Sequence, residues 1–166
     1  MPVSEFKNIR IREIEAADNP AVAAMIRQVF IEFKAQKEGT VYSDPDTDRL
    51  FELFQNSRAV FYVAVSDLGQ ILGSCGIYPT EGLPEGCAEL VKFYLAAEAR
   101  GIGLGRELME KSNQAAHNLN YKQLYIESLP EFEKAVRIYK KQGFRPLESP
   151  LSQQHPGCNL WFIKDL

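Results

Sequence analysis

No apolar run in the chain approaches the roughly 20 residues needed to cross a bilayer, which argues against a helical membrane protein. Cysteine is scarce: Cys75, Cys87 and Cys158 are odd in number and lack metal-ligand spacing. That excludes a disulfide scaffold or a zinc ribbon, and the three read as reduced thiols in a cytoplasmic protein. His117 and His155 are the only histidines, and by themselves they make no metal site. Surplus positive charge is also missing. With 19 Lys and Arg against 22 Asp and Glu the net charge is −3, so there is no general attraction to nucleic acid or to a membrane surface. Met1 to Lys7 carry no apolar signal core, and the chain shows no internal repeat, low-complexity tract or linker.

What is present is the balance of a soluble globular protein. The 166 residues are 45 % hydrophobic and 25 % charged, enough for one domain over residues 1–166 and too few for two ordinary ones. Strand-like and helix-like patterns alternate. Ile9, Ile11 and Ile14 mark a first strand. Asn19 and Pro20 suit a helix start, and Val22, Met25, Ile26, Val29, Phe30 and Phe33 recur at helical spacing. Residues 36–48 hold Gly39, Pro45 and several acids and read as a loop. Asp46 or Thr47 is placed to cap a short helix carrying Leu50, Leu53 and Phe54.

Residues 59–65 and 71–78 read as a hairpin turned by Asp67-Leu68-Gly69-Gln70. Residues 87–95 form a long strand and 123–127 a short one, with the last strands at 144–147 and 160–163. One helix runs to about Leu119. Another presents Phe132, Ala135, Val136 and Tyr139 on one face and stops at Gly143. Hairpins followed by a βαβ unit predict a mixed α/β sheet, mostly antiparallel, with one parallel pair and helices on both faces. The strands from Cys87 and Gln123 are the expected parallel neighbours, joined by a right-handed crossover.

The most informative segment joins the long strand to the helix: Arg100-Gly101-Ile102-Gly103-Leu104-Gly105-Arg106. A helix start presents backbone N–H groups without intrahelical partners and the positive end of the helix dipole. Glycine lets an anion approach that backbone, and Arg100 and Arg106 add fixed positive charge. This predicts a phosphate site, most naturally for a pyrophosphate. The spacing fits neither the triphosphatase loop nor the dinucleotide fingerprint.

Arg100-Gly101-Ile102-Gly103-Leu104-Gly105 resembles the acyl-CoA signature of the GNAT superfamily of N-acetyltransferases. Ala135 to Phe144, with Tyr139 and Gly143-Phe144, resembles the second signature of that family, and the similarity in element order extends from Ile9 to Ile163. Leu129-Pro130-Glu131 looks like a bacterial subgroup acting on small molecules. Many members have proline where this chain has Ala97, and asparagine where it has Phe132, which removes one polar contact to the cofactor. The resemblance implies a GNAT-like acyl-CoA N-acyltransferase fold and acetyl-CoA as the acyl donor, with no metal. It assigns the amides from Ile102 to Arg106 to the pyrophosphate, and the strand edge at Phe93, Tyr94 and Leu95 to the pantetheine arm as an added strand. A backbone N–H near Leu95 would face the developing oxyanion.

Tyr139 by pattern fits a core tyrosine; the resemblance implies a place beside the thioester sulfur. Alternation places Glu89 with Val91, Phe93 and Leu95, opposite Leu90, Lys92 and Tyr94. A glutamate inside a strand is disfavoured, so Glu89 is either half of an ion pair or at a sheet edge or, as the resemblance implies, the general base that deprotonates an amine. Tyr42, Asp44, Asp46 and Asp48 form either a solvated loop or an attraction for a cationic acceptor. His155, Cys158 and Asn159 either line the same cleft or are structural. The expected reaction is direct transfer to a small-molecule amine in a ternary complex. A protein-directed acetylase, a longer-chain acyltransferase and a non-catalytic acyl-CoA sensor are the alternatives. Free strand edges near the C-terminus leave room for a homodimer.

Overall fold

The computed structural model describes residues 8–152 and 154–166; the leader reading of Met1 to Lys7 lies outside them. Seven strands form one sheet: β1 (Ile9–Glu13), β2 (Val60–Ser66), β3 (Ile71–Tyr78), β4 (Cys87–Leu95), β5 (Gln123–Ser128), β6 (Arg145–Leu147) and β7 (Leu160–Asp165). Their order is β1-β2-β3-β4-β5-β7-β6. Every pairing is antiparallel except β4 with β5. The helices are α1 (Asn19–Glu32), α2 (Leu50–Leu53), α3 (Leu104–Asn118) and α4 (Glu133–Lys141).

The sheet has a core on each face. Val22, Ile26 and Phe30 of α1 and Leu50 of α2 pack on Phe61, Val63 and Val91. Leu104, Leu108 and Met109 of α3 and Tyr139 of α4 pack on Leu72, Leu90 and Phe93. Apolar burial on both faces explains why the central strands read as nearly continuous hydrophobic runs.

Local starts and stops differ in detail from the sequence expectation. Asn19 is the first residue of α1, and its Oδ1 accepts from the Phe51 N–H at 2.9 Å; it caps α2 across space instead of its own helix. The acidic loop ends in a single 3-10 turn, Pro45–Asp48, capped by Asp44, whose side chain accepts from the Asp46 N–H. Phe132 precedes α4 and packs away from Tyr139, its ring 5.1 Å from Phe30. Gly143 has φ +93°, as a helix stop requires.

One irregularity shapes everything that follows. Across β3 and β4, Ser74 pairs with Tyr94 but Gly76 pairs with Val91, so Lys92 and Phe93 both stand opposite Cys75. This is a β-bulge, and Lys92 sits in it with φ +55°. The Ser74 hydroxyl donates to the Lys92 carbonyl at 2.6 Å and holds it there. The bulge reverses the alternation. Glu89 and Val91 face α1, whereas Phe93 and Leu95 face α3 and Tyr94 faces α1. The predicted shared face of Glu89, Phe93 and Leu95 is therefore corrected: an inserted residue shifts every later side chain to the opposite side. The parallel β4–β5 ladder covers only Cys87 to Glu89 against Gln123 to Tyr125. Beyond it the two strands part.

Candidate active site

Two differently built halves meet at that split. The first is backbone. Gly101 and Gly103 have φ of +79° and +85°, the left-handed region that suits glycine. A Cβ at either would meet nothing within 4 Å, so the turn presents bare main chain outwards. Among the described residues, no backbone N–H from Gly101 to Arg106 donates to another backbone group, while the Glu107 N–H closes onto Gly103. These amides at the start of α3 fit a diphosphate.

Gly105 serves a different purpose. A Cβ there would lie 3.2 Å from Leu95 and 3.3 Å from Phe93, so this glycine seats α3 on β4. The arginines also divide. Arg100 donates to both carboxylate oxygens of Glu32 and, at 2.9 Å, to the Leu95 carbonyl, and its guanidinium stacks 4.7 Å above the Phe33 ring. It pins the end of α1 to the end of β4, and its charge is already partnered. Arg106 is exposed, with Glu110 at 3.7 Å.

The second half is a cavity of about 170 Å³ opened by the split, walled by Glu89 to Leu95 of β4, Ile126 to Ser128 of β5, and residues of α1, α4 and the C-terminal loop. Of the residues singled out from the sequence, Glu89, Phe93, Tyr94, Leu95, Arg100, Gly101 and Tyr139 line it. Ile102, Gly103, Leu104, Gly105 and Arg106 lie outside its wall. Near Leu95, the Ala96 N–H is taken by the Leu72 carbonyl at 2.9 Å.

Glu89 is 3 % exposed, and its Oε1 accepts from the Thr80 hydroxyl at 2.7 Å. Burial, reinforced by the neighbouring Glu127, pushes its carboxyl up to about 7; Thr80 and Lys92 pull the other way. Tyr139 is buried among Phe93, Phe144 and Phe162. Burial raises its pKa well above the ordinary phenol value, so it stays protonated and keeps a proton to donate.

Sequence reasoning passed over Glu127 and Lys92. The Tyr125 hydroxyl donates to Glu127 Oε2 at 2.8 Å, and Glu127 Oε1 is buried without a partner. Its signal was the one that flagged Glu89, an acid inside a strand. The loop readings separate by residue. His155 Nε2 lies 3.0 Å from Asp44 Oδ2, and His155 and Cys158 line the cavity. Asn159 is exposed, and Asp48 pairs with Arg27 away from the site. Burial, then Lys92, lower the His155 pKa, which keeps the ring neutral near pH 7. Ligand atoms of Glu89, Glu127 and His155 lie within 4.8 Å of one another, a set that could hold a divalent cation and that the histidine count alone did not reveal.

These features suit an acyl-transfer site: an elongated cleft, a turn of unpaired backbone amides at one end and titratable side chains at the other. The chain belongs to the acetyltransferase (GNAT) family, whose sequence model matches residues 18–144. It is similar to the uncharacterized N-acetyltransferase YjgM of Escherichia coli K12, 28 % identical over 158 residues and 94 % of each chain. Its fold is similar to that of a GNAT acetyltransferase from Staphylococcus aureus, with TM-score 0.83, 20 % identity and coverage of 95 % of this chain and 99 % of that one. A phosphinothricin acetyltransferase from Sinorhizobium meliloti, solved with AcCoA, shares the fold at TM-score 0.75 and 15 % identity, covering 95 % of this chain and 88 % of that one. The protein is thus an acetyl-CoA-dependent N-acetyltransferase. No helix among the described residues is long and apolar enough to cross a membrane.

Proposed function

We propose that the acceptor is a primary amine of a small molecule or amino acid, attacked directly while acetyl-CoA is bound. The observation that carries this is Glu89, a nearly inaccessible carboxylate with its pKa raised to about 7, in the same cavity as Tyr139. An ammonium group cannot attack a carbonyl, and alkyl amines hold their proton to a pH of roughly 10.4. Glu89, directly or through water, takes that proton. The amine nitrogen bonds to the acetyl carbon as the carbon–sulfur bond breaks. Tyr139 donates a hydrogen bond to the departing thiolate. The Ile102 to Arg106 amides hold the diphosphate, and the β4 edge from Phe93 to Leu95 aligns the pantetheine arm. Alignment of two bound reactants carries much of the rate.

A small acceptor is favoured over a protein by the closure of the acceptor end. The Gly157 N–H donates to the Gly39 carbonyl at 2.9 Å, and His155 meets Asp44 at 3.0 Å. These ties clasp two remote loops beside the cavity, and that narrowing supports a small acceptor. The resemblance of Leu129-Pro130-Glu131 to a small-molecule subgroup points the same way, and the three unpaired cysteines agree with a cytoplasmic setting. The test is release of free thiol from acetyl-CoA with a panel of small amines and with lysine-bearing peptides. Turnover of small amines, with intersecting initial-velocity plots, is expected. Turnover of peptides alone, or a ping-pong pattern, would overturn the reading.

A further inference from the structure

We infer that Lys92 is the anchor for a carboxylate on the acceptor, so that the acceptor is an amino acid and not a plain amine. This rests on the acetyl-transfer reading above and narrows it. Lys92 is 8 % exposed and lines the cavity beside Glu89. Among the described residues its ammonium forms neither a hydrogen bond nor an ion pair. Lysines ordinarily carry the charge out to water, and a buried ammonium without a partner is costly. Its backbone is held in a conformation uncommon for a side-chain-bearing residue, at φ +55°, by the bulge and by Ser74. The bulge thus places the cation at the cavity, just past the point where the β4–β5 ladder ends.

The surrounding acids do not occupy it. Glu89, Asp44 and Asp46 are near enough for their charge to favour the ammonium form against burial. Each has a partner of its own: Thr80 for Glu89, His155 for Asp44, Arg49 for Asp46. On the β5 side Glu127 Oε1 is buried without a hydrogen-bond partner, while its Oε2 takes the Tyr125 hydroxyl. The site therefore offers an unmet donor at Lys92 and an unmet acceptor at Glu127, which together complement a molecule bearing both ammonium and carboxylate. The four nearby acids would repel a dianion more than a monoanion, so a singly charged carboxylate fits better than a phosphate.

The experiment uses the full chain loaded with coenzyme A and the standard L-amino acids, each against its decarboxylated amine. Binding is read by calorimetry and thermal shift for wild type, Lys92→Met and Lys92→Arg. At least one amino acid should bind wild type about tenfold or more tightly than its decarboxylated partner. Lys92→Met should lose that preference and Lys92→Arg should retain much of it, as expected for a charge-assisted bond. Equal binding of amino acid and amine by wild type, no binding of any amino acid, or an unchanged preference in Lys92→Met would overturn the inference. If Lys92→Met does not fold, the wild-type preference and Lys92→Gln decide. Thiol release separates the two readings. Amino acids that bind through Lys92 without turnover would sink the acetyl-transfer reading alone, whereas plain amines acetylated as fast as amino acids would sink the carboxylate anchor alone.

Discussion

The two halves of the site are made of different material. The half proposed for the cofactor is a continuous run of main chain, Gly101 to Arg106, whose chemistry lies in amides and left-handed glycines. The acceptor half is a group of side chains, Glu89, Lys92, Glu127 and His155, with Asp44 bonded to His155, drawn from distant parts of the chain and gathered at one cavity. Main chain can recognise a diphosphate in any member of a family with little regard to side-chain identity. Side chains gathered from separate loops can be exchanged singly, so acceptor choice can vary while the donor site stays fixed.

The contrast can be broken first at Glu89. Glu89→Gln should lower kcat by about 10²–10⁴-fold, the usual range for a lost general base, with the calorimetric affinity for acetyl-CoA nearly unchanged. The rise in rate as pH passes about 7 should disappear as well. If acetyl-CoA affinity fell instead, the halves would not be separable. Gly103→Val should do the reverse. It forces a β-branched residue to φ +85° and puts a side chain where an anion must approach. The strain alone is about 1–2 kcal/mol, so acetyl-CoA affinity should weaken by about tenfold or more. Unaltered affinity in the same titration would remove the turn from the phosphate site.

Tyr139→Phe should lower turnover by about tenfold, one hydrogen bond to a charged group, with acetyl-CoA affinity preserved; equal turnover would make it a packing residue. Arg100→Ala sharpens the contrast from inside the cofactor half. Because its guanidinium is committed to Glu32, Leu95 and Phe33, the loss should register as about 1 kcal/mol of stability in a denaturant titration. Acetyl-CoA affinity should change less than in Gly103→Val. The smallest effect concerns pH and stability. Glu89 holds its proton to about 7 when folded, against an ordinary value of 4.5. Its contribution favours the folded state below about pH 4.5 and is lost as pH rises through about 7. Glu89→Gln should therefore melt above wild type at pH 8, with the gap closing near pH 5.

Much of the fold was legible in the chain because its signals are local. The β-rich runs at 59–65 and 71–78 with the turn between them, the helical spacing from Val22 to Phe30 and the stop at Gly143 each act within a few residues of themselves. The glycine turn was legible for the same reason, since Gly101 and Gly103 state their backbone conformation directly. The acceptor half was legible only in part. Glu89 stood out as an acid inside a strand, but its companions could not be assigned. The face shared with Phe93 and Leu95 was misread because the bulge at Lys92 leaves no composition signal; lysine is not a residue that announces a positive φ.

The amino-acid order by itself determined the elements, the α/β class and the open glycine turn, because these follow from neighbours along the chain. Only the tertiary structure decided which charges share the cavity, that Arg100 serves as a clamp, and that Lys92 and Glu127 face the same space. Those outcomes depend on strand register and on contacts between loops such as 39–44 and 155–158. Register and loop contact are set by the simultaneous packing of both faces of the sheet, which no short window of sequence contains.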